Sequence, residues 1–246
     1  MTSSTLLALR MTPAWTMALA LSACASASAA APRLSAAAST TAPYPTMAPI
    51  EQYRAVAAPG EVALARSAAP PSVADHADVL VLADRGYTLA EKGSNGFVCI
   101  VERSWANDFD SDQFWNPKVR APICFNQPAA RSVLPAYLAR TEWVLAGATR
   151  ADVMERARAA IASKQFGPPD AGSMCFMMSR QGYLNDQAGP WHPHVMIYAP
   201  RTPPSAWGAN LPGSPLFADD GALEPLTVFM SPVPRWSDGT PDTPKP

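Results

Sequence analysis

The spacing of apolar residues changes along the chain, and each change marks an element. Val79-Leu80-Val81-Leu82 is a short, continuous apolar run that predicts a buried strand over Asp78 to Ala83. Phe97 to Glu102 instead alternates, with Val98, Ile100 and Glu102 on one face and Phe97, Cys99 and Val101 on the other. Tyr87 to Lys92 precedes it, and Asn95-Gly96 supplies the positive φ angles of a tight turn, so Tyr87 to Glu102 reads as a β-hairpin. Further strands are predicted at Ala121 to Phe125, Met174 to Ser179, His194 to Ala199 and Leu226 to Met230. In the second of these, Met174, Phe176 and Met178 share one side while Cys175 and Met177 share the other. Both sides are apolar, as in a sheet covered on both faces.

Helical spacing appears in Ile50 to Ala57 and Gly60 to Ala68, with Pro59 between them and Pro70-Pro71 as a stop. Between the strands lies a second helical region. Pro135 opens a helix carrying Leu138, Trp143 and Leu145 that ends at Gly147. Thr149 caps the next helix, whose apolar stripe is Val153, Ala157, Ala160 and Ile161. The expected fold is α+β: a single domain over residues 50–233 with a mainly antiparallel sheet, an inserted helical hairpin and short N-terminal helices. The Pro-rich end, 234–246, reads as a disordered tail.

The N-terminus carries a different pattern. Met11 to Ala23 is apolar but too short to span a bilayer, and Arg10 is the charged residue before it, so residues 1–23 read as a signal peptide. Leu21-Ser22-Ala23-Cys24 matches the box before an acylated lipoprotein cysteine, which makes Cys24 the lipidation site. Ala25-Ser26-Ala27 and Ala29-Ala30-Ala31 match ordinary signal-peptidase sites, so cleavage near 27–31 is the competing reading. Residues 24–49, rich in Ala, Ser, Thr and Pro, read as a flexible tether. The destination is then the outer membrane facing the periplasm, or the soluble periplasm or exterior.

A formal charge of −1 leaves no basic footprint for nucleic acid, and contact with a membrane would come only through the lipid anchor. The 27 prolines are about twice the usual share and foretell long irregular segments. Beyond Cys24, the cysteines are Cys99, Cys124 and Cys175, an odd number that allows one bridge within the chain. Cys99 with Cys124 is the preferred pair because their segments are close in sequence; three buried thiols are the alternative.

The segments Asn95 to Trp105, Phe114 to Cys124 and Trp191-His192-Pro193-His194 resemble those of a bacterial family of uncharacterised exported proteins. The resemblance implies export and brings with it no activity, fold or binding residues.

Candidate chemistry is sparse. His192 and His194, two apart across Pro193, could face one divalent metal, with Asp186 or His76 completing the set; the chain has three histidines in all. A paired histidine at a strand mouth also donates to loop carbonyls, which is the structural alternative. Asp108-Phe109-Asp110-Ser111-Asp112 opens like a calcium loop, yet Gln113 and Val119 stand where the helix-loop-helix site needs Gly and Glu. Cys175 sits among apolar residues, which suits an inert thiol. Trp105, Phe109, Phe114 and Trp115 lie in a polar, poorly periodic segment, where they either present a binding surface or fold down over the sheet. The chain has no G-x-S-x-G elbow, G-x-G-x-x-G or P-loop. The expected function is a non-catalytic envelope module that binds a small ligand or partner protein; the alternative is an exported metal-dependent hydrolase or metal-binding protein using His192 and His194.

Overall fold

A computed structural model describes residues 42–54 and 57–243. The signal segment 1–23, Cys24 and the tether as far as residue 41 lie outside the described residues. The domain is α+β, with helices packed on one mixed sheet of eight strands in the order β2-β1-β3-β4-β5-β6-β8-β7. The strands are β1 Asp78–Leu82, β2 Tyr87–Glu91, β3 Val98–Glu102, β4 Ala121–Phe125, β5 Met174–Met177, β6 His194–Pro200, β7 Phe217–Asp219 and β8 Leu226–Pro232. Every pairing is antiparallel except that of β1 with β3.

That exception corrects the expected hairpin. β2 pairs with β1, whereas β3 lies on the other side of β1 and runs parallel to it. The chain therefore leaves β2 and wraps the N-terminal end of β1. Ser94 and Asn95 donate to the His76 carbonyl, Asp78 donates its backbone N–H to Phe97, and Gly93 donates to the Asp78 carboxylate. Gly93 passes so close that a Cβ there would lie 2.3 Å from the Ala77 carbonyl carbon. Asn95-Gly96 does form a turn, with Gly96 at φ 78°, but it feeds a crossover.

The alternating faces of β3 are covered from opposite sides. Cys99 and Val101 pack with Val79 and Cys124 under α2 (Ala58–Arg66) and α3 (Pro71–Ala74). Ile100 packs with Ile123, Phe125, Tyr198 and Leu226 under α4 (Gln127–Ser132) and α5 (Leu134–Leu145). Cys99 and Cys124 are direct cross-strand neighbours and form the disulfide, with Cα atoms 4.0 Å apart. Cys175 is a buried free thiol 3.2 Å from the Tyr198 hydroxyl, and burial pushes its pKa up.

The inserted helices follow their sequence signals. Gly147, at φ 88°, ends the turn after α5, and Thr149 and Asp152 form a reciprocal capping box on α6 (Arg150–Ala162). Sequence reading missed α4, which Asn126 caps by accepting the Ala129 N–H at 3.1 Å. The short edge strand β7 was missed as well.

Both boundaries of the domain are wider than expected. Tyr44, Met47 and Ala48, assigned to the tether, pack beside α1 (Ile50–Tyr53) on a cluster of Tyr53, Trp105 and Phe114. Residues 234–243, assigned to a disordered tail, form a closed turn instead. Arg235 bridges to Pro241, Ser237 donates to the Met178 carbonyl, and Trp236 is buried. Trp236 is the apolar anchor in that polar stretch, and burying it offsets the entropy of ordering the strap.

Candidate functional site

The sheet face under α5 is not filled. Between it and the helix lies a cavity of about 450 Å³, within the size range of small-molecule sites. Met177, Met196, Val228 and Met230 line its floor from β5, β6 and β8, and Ala136, Tyr137 and Arg140 line it from α5. Loops carrying Asn107, Asp108, Asn185, Trp191 and Glu224 close the sides.

Glu102, at the end of β3, reaches this cavity because it continues the face of Val98 and Ile100. It is 8% exposed, and among the described residues its carboxylate makes no hydrogen bond or ion pair. Burial pushes its carboxyl up to about 8, against the opposing pull of the Arg140 guanidinium. At neutral pH it is largely a neutral acid.

Arg140 belongs to a different partnership. It donates to Glu224 at 2.6 Å with both side chains nearly buried, and its guanidinium lies 4.4 Å from the Phe109 ring centroid. Arg201 holds the loop bearing Glu224, donating to the Ala222 and Glu224 carbonyls at 2.7 and 2.6 Å. Asp108 is the exposed member of the lining and Asp219 is half-buried, which places this acidic pair at the mouth. Although its surface is open to solvent, the protein packed around it partly desolvates the Asp108 carboxyl and pushes it up, and the neighbouring Asp219 and Asp110 carboxylates add to the shift.

The aromatic segment builds the wall and does not touch the cavity. Trp105, Phe114 and Trp115 are buried, which corrects their reading as a ligand-presenting surface. The Trp105 indole donates to the Thr141 hydroxyl at 2.9 Å and so pins the turn after β3 to α5. Asn107 and Asp108 follow directly and are thereby held beside the cavity. Phe109 is half-buried against Arg140, and its carbonyl accepts from Arg150.

The four proposed metal ligands are not brought together. His194 lines the cavity, is 3% exposed, and its Nδ1 pairs with the His192 carbonyl at 2.7 Å; desolvation lowers its pKa, so it is neutral at pH 7 with Nδ1–H as the donor. The His192 Nδ1 instead meets Asp242 of the C-terminal strap at 2.6 Å. Asp186 sits among Lys118, Tyr44 and Tyr183, and the Lys118 ammonium 2.8 Å away, with the two phenols, holds its carboxyl well below the usual range. His76 lies at the turn into β1, where its carbonyl serves the crossover. Among the described residues no group of three His, Cys, Asp or Glu side chains could hold a metal ion.

Sequence reading therefore missed Glu102, Arg140, Asp219 and Glu224 as site residues. Glu102 alone carried a local signal, a carboxylate on the apolar face of a strand. Comparisons with models of protein families, with curated proteins and with solved structures find no match to this chain, so the site is read from its geometry alone.

Proposed function

We propose that this protein is an exported, non-catalytic binding module of the cell envelope whose small ligand occupies the cavity beneath α5. Glu102 carries the reading. A carboxyl buried without a partner costs stability that an apolar residue of the same size would not, and it lines a cavity large enough for a small organic molecule. Export is supported by the sequence of residues 1–31 and by the Cys99–Cys124 bridge, which persists in oxidising compartments. No helix among the described residues is long and apolar enough to cross a membrane, in keeping with attachment through Cys24 or with release. The hydrolase alternative lacks support, because His76, Asp186, His192 and His194 do not converge.

A thermal-shift screen of small organic compounds on the wild type and on Val228→Trp tests the cavity. Stabilising compounds are expected to act on the wild type and to lose their effect when Trp fills the floor, with both proteins folded by circular dichroism. No stabilising compound, or equal effects on both proteins, would refute the reading. Mass spectrometry of the mature N-terminus distinguishes acylated Cys24 from cleavage near residues 27–31.

A further inference from the structure

We propose that the cavity takes a ligand carrying a protonated amine, whose ammonium group pairs with the Glu102 carboxylate while its apolar body lies along Met177, Met196 and Val228. The proposal rests on the reading of the cavity as a ligand site and names the chemistry of what enters.

Three observations carry it. Glu102 is more than nine-tenths buried, lines the cavity and lacks any donor among the described residues. The lining is also unbalanced in charge. Its acidic residues are Glu102, Asp108, Asp219 and Glu224, and its basic residues are Arg140 and Arg103, the last with its guanidinium turned to the α2 side of the sheet. Arg103 is spent on Glu61 at 2.9 Å, and Arg140 pairs with Glu224 at 2.6 Å, with only its Nε left without a partner among the described residues. Among the described residues, Glu102, Asp108 and Asp219 have no basic partner. The third observation is the floor, where methionine and valine offer an adaptable apolar surface for the rest of the ligand.

A cation is favoured over the alternatives by the field these groups produce. An anionic ligand would meet the Asp108 and Asp219 carboxylates at the mouth, and the lining histidine, His194, is buried with its proton disfavoured. A neutral alcohol could accept from protonated Glu102 but would gain nothing from Asp108 and Asp219. An ammonium gains from all of them in a site where charges are poorly screened.

Protons must balance. The ligand arrives protonated, and Glu102, neutral in the empty cavity at pH 7, ionises and gives its proton to solvent. Affinity for the amine is then expected to rise about tenfold per pH unit up to about pH 8 and to level above it. The groups that act on Glu102 are Arg140 and Tyr137 of α5, Tyr87 of β2, Cys175 of β5 and Tyr198 of β6. For the four that are tyrosine or cysteine, burial raises the pKa, so they stay neutral through this range.

The experiment is isothermal titration calorimetry of 2-phenylethylamine, 2-phenylethanol and phenylacetate, between pH 6 and 8.5, in buffers of differing ionisation enthalpy. The wild type is expected to bind the amine at least about tenfold more tightly than the alcohol near pH 8, where one ionised carboxylate is worth that much, and to release a proton on binding at pH 6 to 7. Glu102→Gln keeps every other charge in the lining and is expected to lose most of the amine preference and all of the proton release while still binding the alcohol. Phenylacetate binding best, or an amine preference undiminished in Glu102→Gln, overturns the ammonium proposal and leaves the cavity reading standing. Failure of all three compounds to bind the folded protein overturns both.

Discussion

Glu102 and Arg103 are chain neighbours, both buried, one an acid and one a base, yet they do not pair. Alternation along β3 sends them to opposite faces of the sheet. Arg103 meets Glu61 of α2 and donates to the Tyr53 carbonyl at 2.8 Å and to the Val101 carbonyl. Glu102 is left in the cavity with no donor among the described residues. One face of β3 carries a satisfied structural pair; the other carries an unsatisfied acid.

Glu102 sets a pH dependence of stability. Its folded-state pKa, about 8, lies above the ordinary carboxyl value of 4.5, so its contribution is fully present below pH 4.5 and is lost as pH rises through 8. Across that window the loss is about 1.4 kcal/mol per pH unit. Glu102→Gln should remove this slope, so the stability gained by the variant grows from pH 5 to pH 8 and then levels. Urea unfolding of both proteins at several pH values measures the difference and cancels the opposing trend of His194, whose lowered pKa costs stability as pH falls below 6.5.

Arg140 and Glu224 should behave as a buried pair. Arg140→Met leaves the Glu224 carboxylate desolvated and alone, at a cost of about 3 kcal/mol or more. Adding Glu224→Gln should recover a good part of that loss. A double-mutant cycle by chemical denaturation gives the coupling, and an additive cycle would show that the pair contributes nothing.

The disulfide spans 25 positions and joins two fully buried residues in the central strands. Replacing both cysteines with alanine should lower unfolding free energy by about 3 kcal/mol. Unfolding with and without reductant supplies the comparison, since reduction should act on the wild type and leave the double variant unchanged.

Gly93 and Gly172 test the crossover. A Cβ at Gly93 would collide with the backbone of His76 and Ala77, whereas nothing lies within 4 Å of one at Gly172, whose φ is 79°. Gly93→Ala should cost about 3 kcal/mol through forced backbone movement, and Gly172→Ala about 1 kcal/mol from its conformation alone. Equal urea midpoints for the two variants would contradict the wrapped path around β1.

How far the sequence could be read depended on the range of each interaction. The alternating faces of β3, the mixed faces of Met174 to Met178, the Thr149 cap and the stop at Gly147 are local patterns, and all reappear in the structure. The hairpin failed because Asn95-Gly96 specifies a turn without specifying a partner, and β1 occupies the place between β2 and β3. The site was hidden for the same reason. Glu102, Arg140, Asp219 and Glu224 come from separate parts of the chain, and none lies in a recognisable motif. The paired histidines and the clustered aromatics drew attention by proximity in sequence, yet His192 faces the strap and the tryptophans brace the wall.

The most direct measurement is a titration of methyl-¹³C-methionine protein, followed by NMR, with compounds that raise its melting temperature. Met177, Met196 and Met230 line the cavity, whereas Met47 and Met178 pack elsewhere. The first three methyl signals are expected to move together on binding, with the other two unmoved and no such change in Val228→Trp. Stabilising compounds that shift Met47 or Met178 and leave the cavity methyls in place would contradict a ligand site beneath α5.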